Sequence, residues 1–328
     1  MKNQIILHTH KIHSMEFIKA YLITMRPYLL FVSGITGLTG LSLIPATNQV
    51  NVILVFLASF LSYGFGQALT DCFQIDTDEL SSPYRPLTQG IISKNHVLII
   101  SILGLIFCVS IFWIFNPVNV LLGVTAGLGL YSYTYFKKKW WAGPFYNAWI
   151  VAVLFLMAFL TGQPNWLDID IGVFTFTLLT VFWGYTNFVL SGYFKDINAD
   201  RKTGYNTLPV VHGRRISAVI SDIFAALTIF FSFLAILYCN TSFVPGTLVF
   251  TALFFVAGFI LSITAQYRLH KVKTDEEAHA VISPVVHSYI LILSSISIAH
   301  KPEWIIPLIY FYLCFIIVMK TRPKKNQV

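Results

Sequence analysis

Five of the nine Asp residues stand in two short stretches: Asp71, Asp76 and Asp78, then Asp196 and Asp200. On a helix, Asp196 and Asp200 are i, i+4 and share a face. Asp71, Gln74 and Asp78 are i, i+3, i+7, again one face, which Asp76 leaves. Two facing carboxylate ridges suit Mg²⁺. That ion takes a few protein oxygens and keeps its other positions for water and phosphate. Asp71, Asp78, Asp196 and Asp200 are therefore the candidate catalytic and metal-binding residues, with a diphosphate bridging both ridges. The plainer reading makes them solvated helix-end acids paired with Lys or Arg; two motifs with matching loops favour the metal.

Cations of the same region suit phosphate: Arg85, Lys137, Lys139, Lys195 and Arg201. Arg grips phosphate oxygens bidentately and Lys acts as a point charge. Gln67 lies one turn before Asp71 on the same face. Asn187 and Tyr193 precede the second motif. With Gln74 they complete the candidate substrate-binding set. The aromatics Phe182, Trp183, Tyr185 and Phe188 suit a carbocation by π contact, although packing explains any one of them equally well. Asp222 and His287 lie inside apolar runs, where helix–helix hydrogen bonding is the expected role.

The elements that must hold these residues are transmembrane helices. The 328-residue chain is 56% hydrophobic and 11% charged, with mean hydropathy +0.71. Soluble domains carry roughly 25% charged residues, so 36 charges cannot make a soluble surface here. Apolar runs long enough to span a bilayer fall near 25–45, 51–70, 96–115, 118–136, 145–162, 171–192, 216–238, 244–266, 281–299 and 303–320. The expected fold is all-α: one polytopic transmembrane bundle of nine or ten helices, ten favoured, after a polar cytoplasmic tail over 1–20. No cleavable signal is expected. The tail's His8, His10 and His13 are read as part of that tail, with no metal.

Counted with the N-terminus inside, 21 of 22 Lys and Arg, from Lys2 to Arg322, Lys324 and Lys325, fall on one side; only Lys301 is outside. The positive-inside rule thus sets the orientation and favours ten spans. It also accounts for the net charge of +8 with no nucleic-acid partner. Short turn-like loops, Pro45-Ala-Thr-Asn, Asn116-Pro-Val-Asn and Gly162-Gln-Pro-Asn, mark the outside. Long inside loops, 71–95 and 193–215, carry both Asp motifs. Cys72, Cys108, Cys239 and Cys314 show no metal-ligand spacing and read as packing residues. The motifs end spans four helices apart, so two pseudo-repeated halves bring both loops to one cytoplasmic mouth.

Thr70-Asp-Cys-Phe-Gln-Ile-Asp-Thr-Asp78, followed by Ser82-Pro-Tyr-Arg-Pro-Leu87, resembles the first motif of the UbiA prenyltransferases. That motif is usually Asn-Asp-x-x-Asp-x-x-x-Asp, then Arg-Pro. Tyr193-Phe-Lys-Asp-Ile-Asn-Ala-Asp-Arg-Lys202, with Gly204 and Thr207-Leu-Pro-Val210, resembles the second. Tyr131-Ser-Tyr-Thr before Lys137 is similar to the family's loop after its fourth helix. The resemblance runs over about residues 20–270. Thr70 stands where the family has Asn, and Gln74 where it has its middle Asp. The Gln74 amide offers an oxygen and no charge.

The resemblance implies a Mg²⁺-dependent enzyme of the membrane. It would transfer a prenyl group from an allylic prenyl diphosphate to an aromatic or other lipophilic acceptor, releasing diphosphate. The prenyl tail would lie along the helices toward membrane lipid. A bacterial inner membrane is the expected location. The alternative is a membrane transporter with an acidic and basic site on its cytoplasmic side. A transporter would show paired Gly/Pro breaks near mid-membrane, and the sequence has none. A CDP-alcohol phosphotransferase would need a compact Asp-rich motif with Gly and Ala-Arg, also absent.

Overall fold

A computed structural model describes residues 9–44, 48–162, 170–239 and 245–320. Lys2, His8, turn residues 45–47 and 163–165, Arg322, Lys324 and Lys325 lie outside the described residues. The described chain is helical, apart from one bridge between Lys139 and Asn206.

The helices are α1 (Met15–Met25), α2 (Leu30–Ser42), α3 (Gln49–Asp71), α4 (Ile75–Ser81), α5 (Lys94–Phe115), α6 (Val118–Lys137), α7 (Gly143–Leu160), α8 (Ile171–Tyr193), α9 (Ile197–Lys202), α10 (Leu208–Leu237), α11 (Pro245–Leu269), α12 (Asp275–His300) and α13 (Ile305–Lys320). Among the described residues eight are long and apolar enough to cross a membrane, or nine if α1 and Pro27–Ser42, bent by 44°, count as one span. Each of the ten expected spans coincides with a helix. α6 is long enough at 20 residues, but its glycines and tyrosines leave it less apolar than the eight.

The expected polar tail over 1–20 is corrected. α1 starts at Met15, capped by Ser14, and buries Phe17, Ala20, Tyr21, Thr24 and Met25. These positions recur at helical spacing, so one face packs on α3 while Glu16 and Lys19 face outward. Tyr21 Oη lies 2.9 Å from Ser101 Oγ of α5. At Arg26 the chain turns with φ 54°, a left-handed conformation unusual for a side-chain-bearing residue. Pro27 then opens a short 3₁₀ turn into α2.

The two halves repeat. α3, α5, α6 and α7 form one, and α8, α10, α11 and α12 the other. The first helix of each ends in an Asp motif and is followed by a short helix, α4 or α9. Gly213, at φ 76°, kinks α10 near its start, so the straight span begins close to the expected 216. α12 is the most enclosed helix, with 89% of its apolar window buried. It sits at the centre of the main core with Tyr28, Phe31, Phe155, Tyr185 and Phe315.

Candidate active site

Both Asp motifs bend, contrary to the continuous helices expected from spacing. α3 ends at Asp71, and the chain restarts as α4 at Ile75. α8 ends at Tyr193, and Asp196 occupies the cap position before α9. The breaks fold α4 and α9 inward over the end of the bundle, where they touch. Thr77 Oγ1 lies 3.0 Å from Thr203 Oγ1, and Tyr205 Oη donates to Asp76 Oδ1 at 3.2 Å. Gly204, at φ 76°, makes the turn that lets Tyr205 N reach Asp200 O at 2.7 Å. Asn206 N donates to Lys138 O at 3.1 Å, fastening the second motif loop to the end of α6.

Beneath this cover is a polar chamber of about 120 Å³. Asp71, Gln74, Asp78 and Arg85 line it from one half, and Tyr193, Lys195 and Asp196 from the other, with Arg26, Gln67 and Lys137 between. Arg26 Nη2 donates to both Asp71 oxygens, at 2.9 and 2.8 Å. Gln67 Nε2 donates to Asp71 Oδ1 at 2.7 Å. Arg85 pairs with Asp78 at 2.5 Å and lies 3.9 Å from Asp71. Lys137 Nζ joins the halves, 2.8 Å from Gln74 Oε1 and 3.7 Å from Asp200 Oδ1. Thr207 Oγ1 donates to Asp200 Oδ2 at 3.2 Å.

Burial governs the protonation of these groups. It pushes the Asp200 carboxyl up to about 7, against the pull of Lys137. It raises Asp78 too, opposed by Arg85. It lowers Lys195 to about 8, opposed by Asp196 and reinforced by Arg85. Burial also works against the Arg85 charge, but Asp78 and Asp71 outweigh it and hold the guanidinium charged.

Nine of the thirteen predicted residues line the chamber directly: Asp71, Asp78, Asp196, Gln67, Gln74, Arg85, Lys137, Tyr193 and Lys195. Asp200 is fully buried just behind Lys137. Three are placed elsewhere. Lys139 is on the outer surface, over the Tyr135 ring at 4.3 Å from its centroid. Arg201 is exposed at the end of α9. Asn187 sits between helices, its Oδ1 accepting from Ser221 Oγ at 2.6 Å and from Gln266 Nε2 at 3.3 Å. Asp222 and His287 make the expected helix–helix contacts, Asp222 Oδ2 with His270 Nε2 at 2.7 Å and His287 Nδ1 with Tyr312 Oη at 2.9 Å.

Sequence reasoning missed Arg26, Tyr63, Tyr133 and Asn147, all of which line the chamber. Asn147 carried a readable signal: an amide inside an apolar run is costly and suggests function. Tyr185 and Phe188 face the chamber. Phe182 and Trp183 instead pack on Phe145, and Trp183 also on Phe224.

Below the chamber a second cavity, also about 120 Å³, continues between α3, α5, α6 and α7. Its upper wall shares Tyr63, Gln67, Thr70, Asn147 and Tyr185 with the chamber. Each helix offers one face: Leu105, Cys108, Val109 and Phe112 from α5, and Gly123, Ala126, Gly127 and Leu130 from α6. From α7 come Ile150, Val151, Leu154 and Met157. A charged head and an apolar tail thus have adjoining compartments.

Family comparison gives this division a name. The UbiA prenyltransferase family profile matches residues 30–285, most of the chain. The chain belongs to the UbiA prenyltransferase family. It is a UbiA-type prenyltransferase, an enzyme of the membrane with multiple spans. A digeranylgeranylglyceryl phosphate synthase of Thermococcus kodakarensis is 30% identical over 225 residues, covering 68% of this chain and 79% of that protein. One from Pyrococcus abyssi is 29% identical over 227 residues, covering 67% and 78%. Both sources are archaeal, so the expected bacterial membrane finds no support in them. A UbiA homolog from Archaeoglobus fulgidus bound to GPP and Mg²⁺ superposes with TM-score 0.65 at 17% identity, covering 84% of this chain and 98% of that one. At that identity the likeness is one of fold.

The carboxylates were tested as metal ligands on their geometry. Among the described residues no three His, Cys, Asp or Glu side chains come close enough to hold one ion. They are arranged as pairs, Asp71 with Asp78 and Asp196 with Asp200. Pairs fit Mg²⁺ that is bound together with a phosphate, because one or two carboxylates then suffice. Asp200 Oδ1 is buried without a hydrogen bond and faces the Lys137 ammonium at 3.7 Å, so it has capacity to accept from a cation at closer range. Charge agrees. Four carboxylates, three of them buried and Asp196 half-buried, face four cations, Arg26, Arg85, Lys137 and Lys195, so the site is near neutral by itself. A diphosphate would leave it strongly negative unless a further cation came with it.

Proposed function

We propose that the enzyme transfers a prenyl group from an allylic prenyl diphosphate to a lipophilic acceptor, with Mg²⁺ as cofactor and diphosphate as product. The observation that carries this reading is the continuity of the polar chamber with the apolar cavity beneath it. The diphosphate lies in the chamber and the prenyl chain lies between α3, α5, α6 and α7. Asp71 and Asp78 of one half, and Asp196 and Asp200 of the other, would hold the Mg²⁺. When bound, Mg²⁺ supplies charge neutralisation of the diphosphate.

The residues of the chain do the rest. Arg26, Arg85, Lys137 and Lys195 take the diphosphate oxygens, so negative charge developing on the leaving group meets fixed cations. The bond between the allylic carbon and its oxygen breaks, and the electron pair leaves with the diphosphate. The carbocation forms beside Tyr63, Tyr185 and Phe188, whose ring faces favour positive charge and keep water out. A lone pair of the acceptor attacks that carbon, and the acceptor's proton passes to the released diphosphate.

The relatives are named for digeranylgeranylglyceryl phosphate. We therefore favour a glyceryl-phosphate lipid hydroxyl over an aromatic ring as acceptor, and a geranylgeranyl donor. We place the N-terminus and both motif loops on the cytoplasmic side, supported by 21 of 22 Lys and Arg on one side of the helix order. The whole chain acts as one domain.

The test is diphosphate release by purified enzyme in liposomes. Geranyl and geranylgeranyl diphosphate are offered with Mg²⁺, against a geranylgeranylglyceryl phosphate and a hydroxybenzoate. Release that needs Mg²⁺ and disappears in Asp196→Asn is the expected result. Failure of Mg²⁺-dependent donor binding as well as release overturns the reading.

A further inference from the structure

The apolar cavity has one opening in its wall that packing does not explain. α6 carries Gly123, Gly127 and Gly129. Small residues on membrane helices ordinarily let a neighbour approach closely, and two of these do. A Cβ at Gly123 would meet Val109 Cγ2 at 2.5 Å, and one at Gly129 would meet the Trp149 ring at 2.6 Å. A Cβ at Gly127 would meet nothing within 4 Å. Yet Gly127 is on the inner face of α6, lining the cavity with Leu105, Cys108, Val109 and Leu154. The next residue, Leu128, points the other way and is 64% exposed. The empty space at Gly127 is therefore cavity space.

Its depth gives it meaning. Lys137, in the chamber, and Gly127 lie ten residues apart on α6, about 15 Å along the axis. An extended carbon chain advances about 1.2 Å per bond, as an extended backbone does. A geranyl chain of eight main-chain carbons, about 10 Å at that rise, ends above Gly127. A geranylgeranyl chain of sixteen, about 19 Å, must pass it toward Phe112 and Met157.

We infer that Gly127 is the position that admits long prenyl donors: its missing side chain is the passage from the upper to the lower half of the cavity. The inference rests on the donor site proposed above and makes the chain-length limit a property of one residue. Gly127→Leu fills the passage, since its Cβ would meet nothing within 4 Å and the atoms beyond it extend into the cavity that Gly127 lines.

The experiment compares kcat/KM for geranyl and geranylgeranyl diphosphate in wild type, Gly127→Leu, Gly127→Val and Leu128→Phe, all in liposomes. In Gly127→Leu the long-to-short ratio is expected to fall on the order of 100-fold, the scale of a mismatch of a few methylenes. Geranyl turnover should stay within threefold, and this also reports that the variant is folded. Gly127→Val carries the same test should the leucine variant misfold. Leu128→Phe, on the exposed side of α6, should keep the wild-type ability to use the long donor. An unchanged ratio in both Gly127 variants, or an equal loss of both donors in folded protein, overturns the inference. Wild type that uses neither donor overturns the donor site itself, a separate outcome.

Discussion

Arg85→Met separates what the buried charges do for the fold from what they do for the reaction. Arg85 is buried and pairs with Asp78 at 2.5 Å; Asp71, 3.9 Å away, keeps Arg26 on both oxygens. The substitution therefore orphans one carboxylate, Asp78. Removing one partner of a buried pair costs about 3–5 kcal/mol, and the lower end applies because Asp71 stays paired. The cost depends on pH. Burial already holds the Asp78 pKa above its ordinary value, and loss of Arg85 raises it further. A carboxyl whose folded pKa exceeds its unfolded pKa favours the fold at low pH, and that contribution is lost as pH rises through the folded value. Arg85→Met should thus be destabilised by about 3 kcal/mol at pH 8, and by less as the pH falls and Asp78 takes up a proton, so that only hydrogen bonding is lost. Unfolding in mixed micelles with increasing denaturing detergent measures both. Arg85→Met combined with Asp78→Leu should recover most of the loss at pH 8 and none of the activity, which falls at least about 100-fold with loss of a leaving-group contact. A double variant no more stable than the single one would refute the account of Asp78 as an orphaned charge.

Mg²⁺ affinity in the presence of donor should rise with pH between 6 and 8, because Asp200 lies near 7 and must lose its proton to act as a ligand; titrations at pH 6, 7 and 8 check this, and a flat profile argues against Asp200 as ligand. Donor and Mg²⁺ should tighten each other's binding by the same factor, as linkage requires, and calorimetry in both orders reads that factor. Asn187→Ala should lower stability by about 1 kcal/mol, the scale of a hydrogen bond between membrane helices, and leave donor KM within twofold; a larger KM change would put Asn187 back at the substrate.

Helix positions were legible because bilayer thickness sets the length of an apolar run. The exceptions have local causes. α1 is 11 residues long, with Glu16 and Lys19 among its apolar positions, too short and mixed for a span pattern. The break after Asp71 falls at Cys72-Phe-Gln, which contains neither Gly nor Pro; tertiary contact between α4 and α9 makes it. Site residues read from spacing within a motif were placed well. Of those read from nearness or from the side of the membrane, Gln67, Tyr193 and Lys137 line the chamber and three residues do not. Asn187 is two residues from Tyr185, about 200° around the helix, so it faces away from the chamber that Tyr185 lines. Lys139 and Arg201 were assigned by side of the membrane, and a side does not fix a direction. Arg26 counted only as an inside charge, because nothing in Met25-Arg-Pro27 reveals the left-handed turn that aims it at Asp71.

The pseudo-repeat is equal in its motif loops and unequal in its bodies. In the first half the inner faces of α3, α5, α6 and α7 leave a cavity below the charges. In the second the space between α8, α10 and α12 is closely packed, and an open apolar groove of about 720 Å³ lies between α10 and α11. Gly184 sits against Tyr289, Gly258 against Ile292, and Ser288 Oγ donates to Gly258 O at 2.8 Å. Asn187, Ser221 and Gln266 fill the space between α8, α10 and α11. Both halves supply carboxylates, and the cavity that adjoins the chamber lies in the first. A donor tail held in the first half fixes the reacting carbon on that side of the diphosphate, and the acceptor must approach from elsewhere. The hydrogen bonds among α4, α9, Tyr205 and Lys138 join the halves across the mouth. The chamber is thus complete only when both loops are docked.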